Sequence, residues 1–204
     1  MLIVVVYCFN YEYLNPPQSI KSVYDLNFFA SFKALSLLVN TKLNCYIHAG
    51  SIQKKDNQNI AKDLNQSPEA NSFLDAKTAI REMISNYGHT YRMPVINVQL
   101  PETYGPLQDT TNPVIENLTQ SATNQNNPSE HSKCLFVDDA INLLFTAALK
   151  ITDLKLGSSI DINSDSFEFQ DWKPVISIEK GIKITEDWQR NYLAKTNHNN
   201  EGSA

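Results

Sequence analysis

The chain has 204 residues, 42% of them apolar and 19% charged, which allows a sizeable core and excludes wholesale disorder. Its formal net charge of −5 argues against a polyanion partner, because nucleic-acid binders present a basic face. No apolar run is long enough to span a bilayer, and the opening stretch 1–9 lacks the basic flank and cleavage site of a secretion signal.

In chain order, the apolar and β-branched run from Leu2 to Phe9 predicts a strand covered on both faces. Prolines 16 and 17 close it. Ser19 caps a predicted helix reaching about Asn40, with Val23, Phe28, Leu35 and Leu38 recurring at helical spacing. A second strand is expected over Asn44–His48, ending in Ala49-Gly50-Ser51. Ser67-Pro68-Glu69 starts a second helix that carries Phe73, Ile80, Met83 and Ile84, with Gly88 as its expected C-cap. Pro94–Val98 reads as a third strand, and Tyr104-Gly105-Pro106 as a turn. Residues 108–133, rich in Asn, Gln, Thr and Ser, read as a polar surface excursion. Cys134–Val137 is a short strand, and Asp138 and Asp139 cap the helix after it. Ile160–Ile162 is strand-like, Trp172–Pro174 a turn, and Glu179–Leu193 a last amphipathic helix. Alternating strands and helices predict an α/β fold with a mainly parallel sheet. The division expected is a core over 1–150, a small C-terminal subdomain over 151–194 and a flexible tail over 195–204.

Cys8, Cys45 and Cys134 lie scattered in apolar runs, which suits reduced, buried thiols and a cytoplasmic location. On that reading the Asn117 glycosylation motif is a chance match. His48, His89 and His131 share no ligand spacing, so no metal site is expected. Tyr87, Tyr91, Tyr104, Trp172 and Trp188 could stack on a base or sugar, although packing is the commoner job of such residues.

Six segments in this order carry a further signal: 23–38 with Asn27, 44–51, 68–83, Tyr104-Gly105-Pro106, Phe136–Asp139, and Trp172–Pro174 followed by Lys180–Ile182 and Trp188. Together they resemble the NAD-dependent epimerase/dehydratase family, extended short-chain dehydrogenases that modify nucleotide sugars. The resemblance implies a partial Rossmann-like fold in which the 1–9 strand is the family's fourth, without the first βαβ unit, and with a reduced C-terminal subdomain. The glycines (50, 88, 105, 157, 181 and 202) are never clustered as a pyrophosphate cradle requires. NAD is therefore the cofactor the family implies, but none is expected to bind the isolated chain.

The implied site departs from the family pattern. The Tyr-x-x-x-Lys pair, in which the lysine tunes the tyrosine, is matched by Phe73 and Lys77, so the hydroxyl is lost. The family's serine or threonine falls on Gly50 or Ser51, and Asn27 keeps the asparagine near the site. Glu102 and Tyr104 match substrate-side positions, where a carboxylate would repel a diphosphate. The expected function is thus that of a degenerate, non-catalytic member acting in binding or assembly. Two alternatives stand beside it: an epimerase, dehydratase or decarboxylase completed by a partner chain that supplies the NAD-binding half, and a nucleotide-sugar-binding module without turnover. A homodimer or hetero-complex through helices 19–40 and 67–87 is expected, with a nucleotide sugar as candidate ligand and neither nucleic acid nor membrane as partner.

Overall fold

The computed structural model of the protein describes residues 4–7, 20–51, 68–107, 134–162 and 169–201. The expected excursion over 108–133 lies outside the described residues. In chain order the elements are β1 (Val4–Tyr7), α1 (Ile20–Tyr24), a π-helical turn (Asp25–Phe29), α2 (Ala30–Leu38), β2 (Cys45–Ser51), α3 (Pro68–Thr90), β3 (Val95–Leu100), β4 (Glu102–Tyr104), β5 (Cys134–Phe136), α4 (Val137–Leu149), a 3-10 turn (Ile151–Asp153), β6 (Ser159–Asp161) and α5 (Ile178–Glu201). Contacts group the chain into two units: Met1–Leu100 with Leu144–Asp161, and Pro101–Leu143 with Ile162–Ala204. This grouping interleaves the chain, where the sequence reading divides it in order after residue 150. No helix among the described residues is long and apolar enough to cross a membrane.

The first unit holds a parallel sheet in the order β1-β2-β3-β6, the α/β arrangement the alternation of elements predicts. Parallel neighbours need crossover connections, and helical segments follow β1 and β2 in the chain. Alternate strand residues share a face, so Tyr46 of β2 and Val95 of β3, partners in register, look the same way. There they join Leu35, Ile80, Met83, Ile84 and Met93 in one buried cluster. Burying each such side chain contributes on the order of 2 kcal/mol. Along the same face the strands turn polar: His48 then Gly50 on β2, Asn97 then Gln99 on β3, Ser159 then Asp161 on β6. The apolar end seats α2 and α3, and the polar layer lies at the carboxyl ends of the strands, where open α/β sheets bind ligands.

Several local expectations change. The first helix is broken by the π-helical turn, where the expectation was one regular helix. At that turn Asn27 Nδ2 donates to the Val23 carbonyl at 2.9 Å, and Ser31 Oγ donates to the Asn27 carbonyl at 2.9 Å. Side chains that bond the preceding turn compete with the regular ladder. Gly88 is not a C-cap, because α3 continues to Thr90 and the positive φ falls on Arg92, at 55°. Its role is close approach: a Cβ there would lie 2.3 Å from the Gly157 nitrogen. Both β2 and β3 run two residues or more beyond their expected ends, since polar side chains at 48, 97 and 99 do not interrupt the backbone ladder. The last helix likewise passes its expected end at Leu193 and reaches Glu201.

The second unit is built on the parallel pair β4 and β5, with Glu102 beside Cys134 and Tyr104 beside Phe136. Tyr104, Phe136 and Ile182 form its core, the two rings meeting edge to face at 5.6 Å. Asp138 and Asp139 sit inside the first turn of α4 and are not its caps. Asp139 is buried and its carboxylate accepts the Val175 N–H at 3.1 Å and the Ile176 N–H at 2.9 Å. Of the other aromatics, Trp172 is buried, Tyr87 packs on the first unit's core and against Tyr91, and Trp188 stacks on Tyr192.

Candidate functional site

The resemblance points to one layer of the first unit, above its apolar core. Helix α3 supplies Lys77, 8% exposed, one turn after Phe73. The side chains of Phe73 and Ser51 lie outside the described residues; their backbones are in α3 and at the end of β2. Asn27, 1% exposed, is held in the π-helical turn, which packs against α3. A π-turn shifts the helix phase by one residue and so re-aims a side chain, which is why such turns recur at functional positions.

His48 sits on β2 below this layer and is 2% exposed. Burial, and secondarily the nearby Lys77 charge, pull its pKa down to about 3, so the imidazole is neutral at ordinary pH. It is therefore no proton shuttle near neutrality. Two residues on, Gly50 offers no side chain, and β3 fills the space. A Cβ at Gly50 would lie 2.8 Å from Gln99 Oε1 and 3.0 Å from Asn97 Oδ1. The space beside Gly50 is thus occupied by two amides, while Ser51, the other position matched to the family's hydroxyl, has its side chain outside the described residues.

The layer continues to β6 through a chain of polar contacts. Asn97 Nδ2 donates to Ser159 Oγ at 3.0 Å, and Ser159 Oγ donates to Asp161 Oδ1 at 3.3 Å. Arg81, one turn after Lys77, reaches Asp161 Oδ2 at 3.4 Å. Both partners of that ion pair are exposed, so it adds little stability. Among the described residues, Asn27 Oδ1, Asn97 Oδ1 and Gln99 Oε1 are buried acceptors that no donor reaches. Each such oxygen costs about 1–3 kcal/mol relative to a satisfied one.

The other expected site residues fall in the second unit. Glu102 is exposed on β4. Tyr104, expected to face substrate, is a core side chain whose hydroxyl donates to the Ile178 carbonyl at 3.3 Å. Burial and the neighbouring acidic groups raise its pKa to about 12. No group of three His, Cys, Asp or Glu among the described residues could hold a metal. Cys45 and Cys134 are free thiols whose pKa burial raises to about 11, so they stay protonated.

Among the described residues no glycine cluster forms a dinucleotide cradle. Of the described glycines, Gly88 and Gly157 pack on each other, Gly105 meets Val137, Gly181 meets Tyr104, and Gly50 meets the two amides. None is left bare at a helix N-terminus to admit a pyrophosphate.

Sequence reading found Asn27, Gly50, Ser51, Phe73 and Lys77, and the structure sets Gly50 on β2 and Asn27 and Lys77 on the helical elements that pack against each other. It missed His48, Asn97, Arg81, Ser159 and Asp161. The signal available for two of them was polar residues at period two, His48 with Gly50 and Asn97 with Gln99, in otherwise apolar strands.

No protein-family model matches the sequence, and no curated protein does. Solved structures do match. A UDP-galactose 4-epimerase aligns over 93% of this chain and 78% of its own, with a TM-score of 0.66 and 14% identity. The Bordetella bronchiseptica enzyme WbmF, in complex with NAD+, aligns over 96% and 74%, with a TM-score of 0.64 and 13% identity. UDP-glucuronic acid 4-epimerase from Bacillus cereus, in complex with NAD, aligns over 92% and 74%, with a TM-score of 0.61 and 13% identity. The likeness establishes a Rossmann-like α/β fold of the kind these enzymes have.

Proposed function

We propose that this chain is a non-catalytic relative of the NAD-dependent nucleotide-sugar epimerases, acting through ligand binding and assembly, with a nucleotide sugar as its ligand. The observation that carries this reading is the layer above Gly50. Where the fold's acid/base chemistry needs a hydroxyl beside a Tyr–Lys pair, this chain offers Gly50, covered by Asn97 and Gln99, or its neighbour Ser51, and has phenylalanine in place of the tyrosine at position 73. Loss of a positioned acid/base group costs ~10²–10⁴-fold in rate, and the missing cradle removes the hydride acceptor as well. Lys77 remains buried and can hold an anionic or hydroxylated ligand without a proton transfer to drive.

The test is an assay of wild type and Phe73→Tyr with NAD and UDP-galactose, together with calorimetry of NAD binding. The expected result is no turnover by either protein and no saturable NAD binding below millimolar concentration. Turnover by either one, or micromolar NAD affinity, would sink the reading. One observation favours a second reading, a catalyst completed by another chain: among the described residues β1 pairs on one side only, with β2, and carries Val4, Val5 and Val6 without charge or proline. Co-purification with a chain bearing a clustered-glycine strand–helix unit, and turnover by that complex, would select it.

A further inference from the structure

In the second unit a cavity of about 390 Å³ separates β5 from the segment 174–178, with Cys134, Leu135 and Phe136 on one side and that segment on the other. Its volume lies within the range of small-ligand sites. Among the described residues β5 pairs with β4 alone, so no ladder ties the segment to the sheet. Both ends of the segment are fixed. Before it, Phe169 and Trp172 exchange backbone hydrogen bonds at 2.9 and 3.2 Å, and Trp172 is buried. After it, Ser177 Oγ accepts the Lys180 N–H at 3.3 Å at the start of α5, and the Ile178 carbonyl accepts the Tyr104 hydroxyl.

Between those anchors the backbone leans on one side chain. Pro174 has no N–H to give. The next two N–H groups go to separate oxygens of Asp139, Val175 to Oδ1 at 3.1 Å and Ile176 to Oδ2 at 2.9 Å. Ile176 packs on the Tyr104, Phe136 and Ile182 core, but Val175 is exposed. Segments with few buried apolar contacts open locally at a lower free energy than the whole fold. The cavity behind this one lowers the cost further, because empty space offers no contacts for an outward movement to break. Two charge-assisted bonds to one carboxylate are therefore what an opening has to break.

We infer that residues 173–176 are a lid on this cavity, hinged at Trp172 and Ser177 and latched by the Asp139 carboxylate. The lid opens while the rest of the second unit stays folded, and its opening widens access to the cavity. It does not depend on the ligand reading above. Hydrogen exchange of the full chain, followed amide by amide by NMR across sub-denaturing urea, tests it on wild type and on Asp139→Asn. Asparagine has one carbonyl oxygen, so it answers only one of the two N–H groups. In wild type the Val175 and Ile176 amides should exchange at rates nearly independent of urea. The Leu143 amide, in the buried face of α4, should show the steep urea dependence of global unfolding. In Asp139→Asn the exchange of Val175 and Ile176 should quicken roughly tenfold, with Leu143 still steep. If Val175 and Ile176 follow the steep dependence of Leu143 in wild type, they open only with the whole fold and the lid is overturned. Unchanged exchange of both amides in Asp139→Asn overturns the latch. Should that variant not fold, Val175→Pro, which deletes one donor from the exposed side, decides the latch through the Ile176 amide: faster exchange supports it and an unchanged rate overturns it.

Discussion

Among single residues, His48 makes the sharpest quantitative claim. Its folded pKa of about 3 lies below the ordinary value of 6.5 because burial, and then Lys77, disfavour the imidazolium. Between those values the unfolded chain binds a proton that the folded chain refuses, so the stability associated with a neutral His48 is full above pH 6.5 and declines as pH falls towards 3. The slope from this one group is about 1.4 kcal/mol per pH unit. His48→Gln should therefore flatten the acid side of the stability profile by one proton, read from urea unfolding at a series of pH values. Identical slopes for the two proteins would show that His48 is charged in the fold. The residue's identity was plain in the sequence, but its burial was not, because a histidine ending an apolar run reads equally well as a strand terminus at the surface.

At the scale of elements, α4 and α3 show how a local signal can be right about chemistry and wrong about partner. Asp138-Asp139 at the start of an apolar run reads as a helix cap. The structure instead spends Asp139 on a distant strap, two N–H groups thirty-six and thirty-seven residues away. Asp139→Ala would leave both amides unanswered and should cost about 2–4 kcal/mol, measured by chemical denaturation, with Asp139→Asn costing less. A loss below about 0.5 kcal/mol for the alanine variant would show the strap to be held by other contacts. Gly88 follows the same logic, since a glycine near a helix end suggests a cap, and only the fold reveals Gly157 against it. Such partners are set by long-range packing, which sequence periodicity does not encode.

For the molecule as a whole, the helical segment 20–38 presents Phe29, Phe32 and Leu37 at 52%, 44% and 71% exposure, while Val23 and Leu35 are buried. Large apolar side chains held in water along one helical segment are what an association surface would carry. Our reading of the chain as an assembly component predicts a homodimer or hetero-complex through this helix and α3. Phe32→Glu should then dissociate the complex or lower its solubility, since an unpaired charge at a buried contact costs several kcal/mol. Light scattering that finds a monomer for wild type, with Phe32→Glu equally soluble, would end the assembly reading.

The sequence by itself determined the class of fold. Its β-branched runs, three- and four-residue apolar spacing, prolines and capping residues are local, and each acts on backbone within a few residues of itself. Asn27, Gly50, Phe73 and Lys77 could likewise be singled out, because motif spacing survives as a string. What only the tertiary structure decided was which groups meet. Parallel register set His48 beside Asn97 and Gly50 beside Gln99, across one crossover more than forty residues long. Register also left two amide oxygens facing bare backbone, and packing took Tyr104 into a core. Those outcomes depend on how separate elements align and which faces they bury, and the free energy that selects them comes from contacts between residues remote in the chain.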